Sequence, residues 1–116
     1  MLHLVRILAL PLLLGACAQT VTQAPNQIAA NEAEGHRLAE VHCARCHAIG
    51  AEGESSHPMA PAFRTLSRDY PVNALEEAFA EGILVGHPEM PEFRFEPDQV
   101  DDLVAYIQSI QERRGG

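Results

Sequence analysis

The sequence predicts an all-α fold. Three segments repeat apolar residues at the three- and four-residue spacing of a helix face, while no segment shows the strict alternation of a half-buried strand. Between them lie two long stretches, 48–70 and 84–96, whose glycines and prolines make loops of them. Loops of that length in a small domain are organised around something.

The first helical segment reads "NEAEGHRLAEVHCARCH". Asn31 offers an N-cap with Glu34 three residues on, and Leu38 and Val41 are spaced for one face. Gly35 is out of place by propensity, costing about 1 kcal/mol relative to alanine. Either another backbone or ring approaches there, or the helix starts after it. The second segment is "NALEEAFAEGI": Asn73 and Glu76 suggest a capping pair, Leu75 and Phe79 lie one turn apart, and Gly82 ends the helix. The third, "PDQVDDLVAYIQSIQERRGG", opens at Pro97 with acidic residues in its first turn. Val100, Leu103, Val104 and Ile107 form its apolar stripe and Ile110 extends it; Arg113 and Arg114 suit the negative end of the dipole, and glycines stop it.

The chain's 116 residues suffice for one small domain. Residues 1–16 read as a secretory leader: Arg6, a short apolar run, then small residues. The run is too short to span a bilayer. Leu14-Gly15-Ala16-Cys17 resembles the bacterial lipoprotein box, which implies cleavage before Cys17 and lipid on its thiol; a rival cut after Ala18 would discard that cysteine. Residues 17–30, small and polar with one proline, read as a flexible tether, and residues 31–114 as the folded domain. A domain of this size is marginal unless a rigid cofactor supports its core.

The net charge is −8 at pH 7, and all 8 basic residues are arginine. This excludes a basic nucleic-acid footprint and attraction of the folded part to an anionic membrane surface. The membrane enters only through a lipid anchor at Cys17.

The chemistry centres on Cys43-Ala44-Arg45-Cys46-His47. Two thiols three apart with a histidine directly after the second form the attachment signature of c-type haem. One helical turn brings both sulfurs to one edge of a porphyrin, where they add across its vinyl groups as thioethers, and His47 then reaches the iron. The alternatives are weaker. Zinc would need the two thiolates plus histidines such as His57 and His87, with no second CxxC. A thioredoxin-like pair needs a βαβ setting, and a structural CxxC disulfide is tight and usually redox-active. For a second iron ligand, Met90 in "GHPEMPEF" lies in a proline-restrained loop; its soft, uncharged thioether favours ferrous iron and raises the potential. Met59, His57 and His87 compete for that role, while His36 and His42 read as solvated.

From about residue 31 to 113 the chain resembles a small bacterial class I cytochrome c, on pieces that occur in family order. These are "GHRLAEVHCARCH", with a glycine eight residues before the first cysteine; the proline segment "MAPAF"; the methionine loop "GHPEMPEF"; and "DDLVAYIQSI" with its aromatic residue. The resemblance implies a cytochrome c fold: three main helices and long loops wrapped around one covalently bound haem c. It makes Cys43 and Cys46 the thioether anchors, and His47 and Met90 the axial iron ligands. Pro61 presents its carbonyl to the His47 ring, and Gly35 lets the first helix cross the last near Leu103 and Tyr106. Tryptophan is absent, so a familiar hydrogen bond to a haem propionate must come from elsewhere, with Tyr70 and Arg64 as candidates. The implied function is a non-enzymatic, exported, periplasmic carrier of single electrons between redox proteins. Without lysines around the haem edge, its partner would present a basic docking face. Two other readings stay open: a dedicated electron-transfer subunit of a periplasmic dehydrogenase or oxidase, and a haem-based sensor of small ligands.

Overall fold

The computed structural model describes residues 24–82 and 89–112. Three α-helices carry the fold: α1 (Pro25–His42), α2 (Leu75–Glu81) and α3 (Pro97–Ser109). Two short 3₁₀ stretches, Phe63–Arg68 and Val72–Ala74, precede α2, and no strand occurs among the described residues. None of these helices is long and apolar enough to cross a membrane. The leader, Cys17, His87, Arg113 and Arg114 lie outside the described residues.

Helix α1 starts earlier than expected. Pro25 takes the first turn after Ala24, where its missing N–H costs nothing, so residues 25–30 of the expected tether are helical. Asn31 is therefore not a cap. Its side-chain oxygen accepts a hydrogen bond from Gln27 Nε2 at 3.0 Å, one turn back. The buried stripe also differs from the expected Leu38 and Val41 pair. It runs through Gly35, Leu38, Ala39 and Cys43, the i, i+3, i+4 and i+8 positions of one face. Val41 falls off that stripe and is 64% exposed.

Helix α3 begins at Pro97 behind a capping box: Glu96 accepts from the N3 backbone, and the Gln99 side chain accepts from the Glu96 N–H at 3.1 Å. Its stripe of Val100, Leu103, Val104 and Ile107 is buried, and Ile110 packs partly buried against the same core. The helix stops at Ser109, short of the expected arginines. Gln111 supplies the reason. Its Nε2 donates to the carbonyls of Ile107 at 2.7 Å and Phe63 at 2.6 Å, and its Oε1 accepts from the Ser67 N–H at 2.8 Å. The side chain thus satisfies an orphan helix carbonyl and ties the end of α3 to the first 3₁₀ stretch.

Helices α1 and α3 cross at Gly35. A Cβ there would lie 2.0 Å from the Asp102 carbonyl oxygen and 2.7 Å from Tyr106 Cβ. Leu38, Leu103 and Ile107 are fully buried around this crossing. Helix α2 adds Leu75, Ala78 and Phe79 to the core. The residues Val72–Ala74 turn as 3₁₀, so Ala74 rather than Asn73 is its N-cap, and no side chain caps it. Gly82 ends it in the left-handed region, at φ 73°, where its N–H donates to the Ala78 carbonyl at 3.0 Å. The loop expected over 48–70 is thus only partly irregular, because Phe63 and Leu66 bury themselves by folding its second half into a 3₁₀ turn.

Candidate functional site

Directly after α1 the chain makes one more helical turn. The His47 N–H donates to the Cys43 carbonyl at 3.0 Å, and the Cys46 N–H to the same oxygen at 3.1 Å. This turn brings Cys43, Cys46 and His47 to the wall of one cavity of about 310 Å³, the lower end of the range for ligand pockets. The 3₁₀ stretch adds Phe63 and Leu66 to the wall, α2 adds Leu75 and Phe79, and α3 adds Ile107. The final loop contributes Met90, Pro91 and Phe93. An apolar chamber is therefore enclosed by all three helical regions and both loops.

Within it, the His47 ring is held from two sides. Its Nδ1 lies 2.7 Å from the Pro61 carbonyl oxygen, so the ring donates there and the Nε2 lone pair is directed elsewhere. Phe63 packs against the same ring with centroids 5.2 Å apart. Pro61 itself is positioned by the Phe63 N–H, which donates to the Ala48 carbonyl at 2.9 Å and closes the loop back onto the attachment turn.

No disulfide joins Cys43 to Cys46. Burial pushes the Cys43 thiol up to about 12, so it stays neutral at ordinary pH. No group of three or more His, Cys, Asp and Glu side chains gathers as a metal site among the described residues. Two thiols, an imidazole and a thioether around one apolar cavity fit a covalently attached haem.

Of the competitors for the second ligand among the described residues, Met90 and His57 line the cavity and Met59 does not. Met90 is partly buried, packs on the core and lines the cavity. Met59 is 62% exposed and is absent from the cavity wall. His57 lines the cavity, yet its Nδ1 accepts from the Met59 N–H at 3.2 Å and its Nε2 lies 2.8 Å from Glu89 Oε2. Both histidines expected to be solvated keep substantial exposure while making ring contacts: His42 is exposed, and the His36 side chain is 45% exposed. His36 stands edge-on to Tyr106 at 5.0 Å, and His42 packs against Phe95 at 5.3 Å and Phe93 at 5.7 Å. His42 is exposed, yet at the end of α1 it also reaches the cavity rim.

Of the two candidates for a propionate bond, Tyr70 lines the cavity and Arg64 does not. Arg64 is committed to the Gly53 carbonyl at 2.8 Å and to Glu112 at 3.1 Å. Arg45 on the cavity wall was missed by the sequence reading. The only available signal was its place inside the CxxCH turn.

Fold and site together define an all-α protein shaped around one flat prosthetic group. The cytochrome c family model matches residues 32–111, and the chain belongs to that family, as a class I c-type cytochrome. It binds haem c covalently and is a haem-based electron carrier. Family members typically transfer electrons rather than catalyse, and in bacteria such domains are typically exported. No curated protein and no solved structure matches the chain.

Proposed function

We propose that this chain carries single electrons between periplasmic redox proteins through a haem ligated by His47 and Met90 and anchored by Cys43 and Cys46. The observation that carries the reading is the convergence of those four side chains on one apolar cavity. Haem c supplies a one-electron ferric/ferrous couple. The protein holds the His47 ring in one tautomer through Pro61, excludes water with Phe63, Phe79 and Phe93, and offers a soft sulfur at Met90 that favours the reduced state. A net charge of −8 without a single lysine favours a partner with a basic docking face, with association rates that fall as salt rises. Export is expected to leave a mature end at Cys17 or Gln19, and intact mass distinguishes a lipidated cysteine from an unmodified glutamine.

The decisive test is the optical spectrum of the ferric holoprotein, wild type and Met90→Ala. The weak far-red band of a methionine–iron bond is expected in the first and lost in the second, with a lower reduction potential. A wild-type spectrum without the band would replace Met90 by a histidine or an open site and would move the sensor reading ahead.

A further inference from the structure

The loop that follows the attachment turn is fastened at both ends. Its His57 N–H donates to the Cys46 carbonyl at 3.2 Å, and the Ser56 hydroxyl donates to the Arg45 carbonyl at 2.6 Å. His57 also closes a turn on itself: the Ala60 N–H donates to its carbonyl at 3.1 Å, and the Met59 N–H to its Nδ1 at 3.2 Å. That last bond fixes the tautomer. With Nδ1 accepting, the ring proton of the neutral imidazole sits on Nε2, which faces Glu89 Oε2 at 2.8 Å. Glu89 immediately precedes Met90, and Pro91 follows it and restricts the backbone.

These contacts form one continuous connection. It runs from the carbonyl of Cys46, next to His47, through the His57 backbone and ring, to the Glu89 carboxylate and so to Met90. His57, Glu89 and Met90 all line the cavity. The His57 side chain is 29% exposed and Glu89 66%, so the bond is partly screened and its effect is modest.

We propose that His57 is a positioning residue: through its Nε2–H bond to Glu89 it clasps the methionine loop to the attachment turn and holds Met90 over the haem site. This rests on the reading of Met90 as an iron ligand. The clasp does not touch the metal. It lowers the freedom of a loop that must keep a weak thioether in place, and so opposes displacement of Met90 by other ligands.

Imidazole titration of the ferric holoprotein, followed by loss of the far-red band, tests the clasp. The variants are His57→Ala, Glu89→Ala, the double variant and His57→Gln, which keeps an N–H donor near the Nε2 position. Each alanine variant is expected to bind imidazole about threefold more tightly, the scale of a partly exposed polar pair. The double variant is expected to bind no more tightly than the singles, since both remove the same interaction, and His57→Gln to return toward wild type. A purely structural role for His57 would give additive effects without rescue and would overturn the proposal. Wild-type imidazole affinity in every variant, with the band present in wild type, would overturn the clasp alone. A wild-type protein without the band removes the Met90 reading and the clasp with it.

Discussion

Gly35 on α1 meets the backbone of Asp102 on α3 so closely that a Cβ at position 35 would stand 2.0 Å from the Asp102 carbonyl oxygen. The obstacle is main chain, which cannot swing aside as a side chain can. Alanine would gain about 1 kcal/mol in helix propensity, but opening the crossing costs about 1–3 kcal/mol or more. The clash wins. Gly35→Ala is expected to lower stability by about 1–2 kcal/mol net, because the clash is with main chain, measured by guanidinium unfolding of the holoprotein. A stabilised variant would mean that the two helices do not meet as described.

Tyr106 stands beside this crossing and donates its hydroxyl to the Ile49 carbonyl at 2.8 Å, joining α3 to the loop after the attachment turn. Tyr106→Phe keeps the ring and leaves that carbonyl without its donor, at a cost of about 1 kcal/mol. Burial, and then the charge of Glu40, raises the phenol above its ordinary value of 10.0. A folded value above the unfolded one gives a stabilising contribution that is present below pH 10.0 and is lost as pH rises through the folded value. The gap between wild type and Tyr106→Phe should therefore narrow above pH 10.0, in paired unfolding curves at neutral and alkaline pH.

Much of this architecture was legible in the sequence, for identifiable reasons. The stripe of α3, the stop at Gly82 and the approach at Gly35 follow from local periodicity and from the one residue that lacks a Cβ. The Cys43–His47 turn and its cavity were readable because covalent attachment fixes residue type and spacing together. What escaped was decided by partners distant in sequence. The true end of α3 depends on Gln111 reaching Phe63 and Ser67. The exposure of Val41 depends on which side of α1 faces α3. Arg64 looked available for a propionate, yet Gly53 and Glu112 hold it elsewhere.

That arginine is itself a structural tie. Its side chain is only 15% exposed and gathers Gly53, Glu112 and, at 3.9 Å, Glu54. Glu112 also engages Arg68 and donates its own N–H to the Arg64 carbonyl at 2.9 Å. Arg64→Ala would leave the half-buried Glu112 carboxylate with less compensation, costing about 1–3 kcal/mol. Since Arg64 is not on the cavity wall, the far-red band and the reduction potential should stay at their wild-type values. A shifted potential would return Arg64 to the haem environment.

Asp102 is the reverse case, a residue whose charge works against the fold. Burial raises its carboxyl above the ordinary value of 3.8, and the negative charges of Glu34, Asp98 and Asp101 raise it further. Because the folded value exceeds the unfolded one, the contribution favours folding below the unfolded value and disappears as pH rises through the folded value. At neutral pH the ionised carboxylate is therefore a cost. Asp102→Asn removes that charge while keeping the size and the backbone carbonyl that packs on Gly35. The variant should be slightly more stable than wild type at pH 7, the gain kept small by solvent screening at this partly exposed site. Added salt should shrink the gain, and acid should abolish it as the wild-type carboxyl becomes neutral too. Thermal unfolding of both proteins at pH 7 and near pH 3.8, at low and high salt, measures each part. A gain that persisted unchanged in acid would assign it to packing rather than to charge.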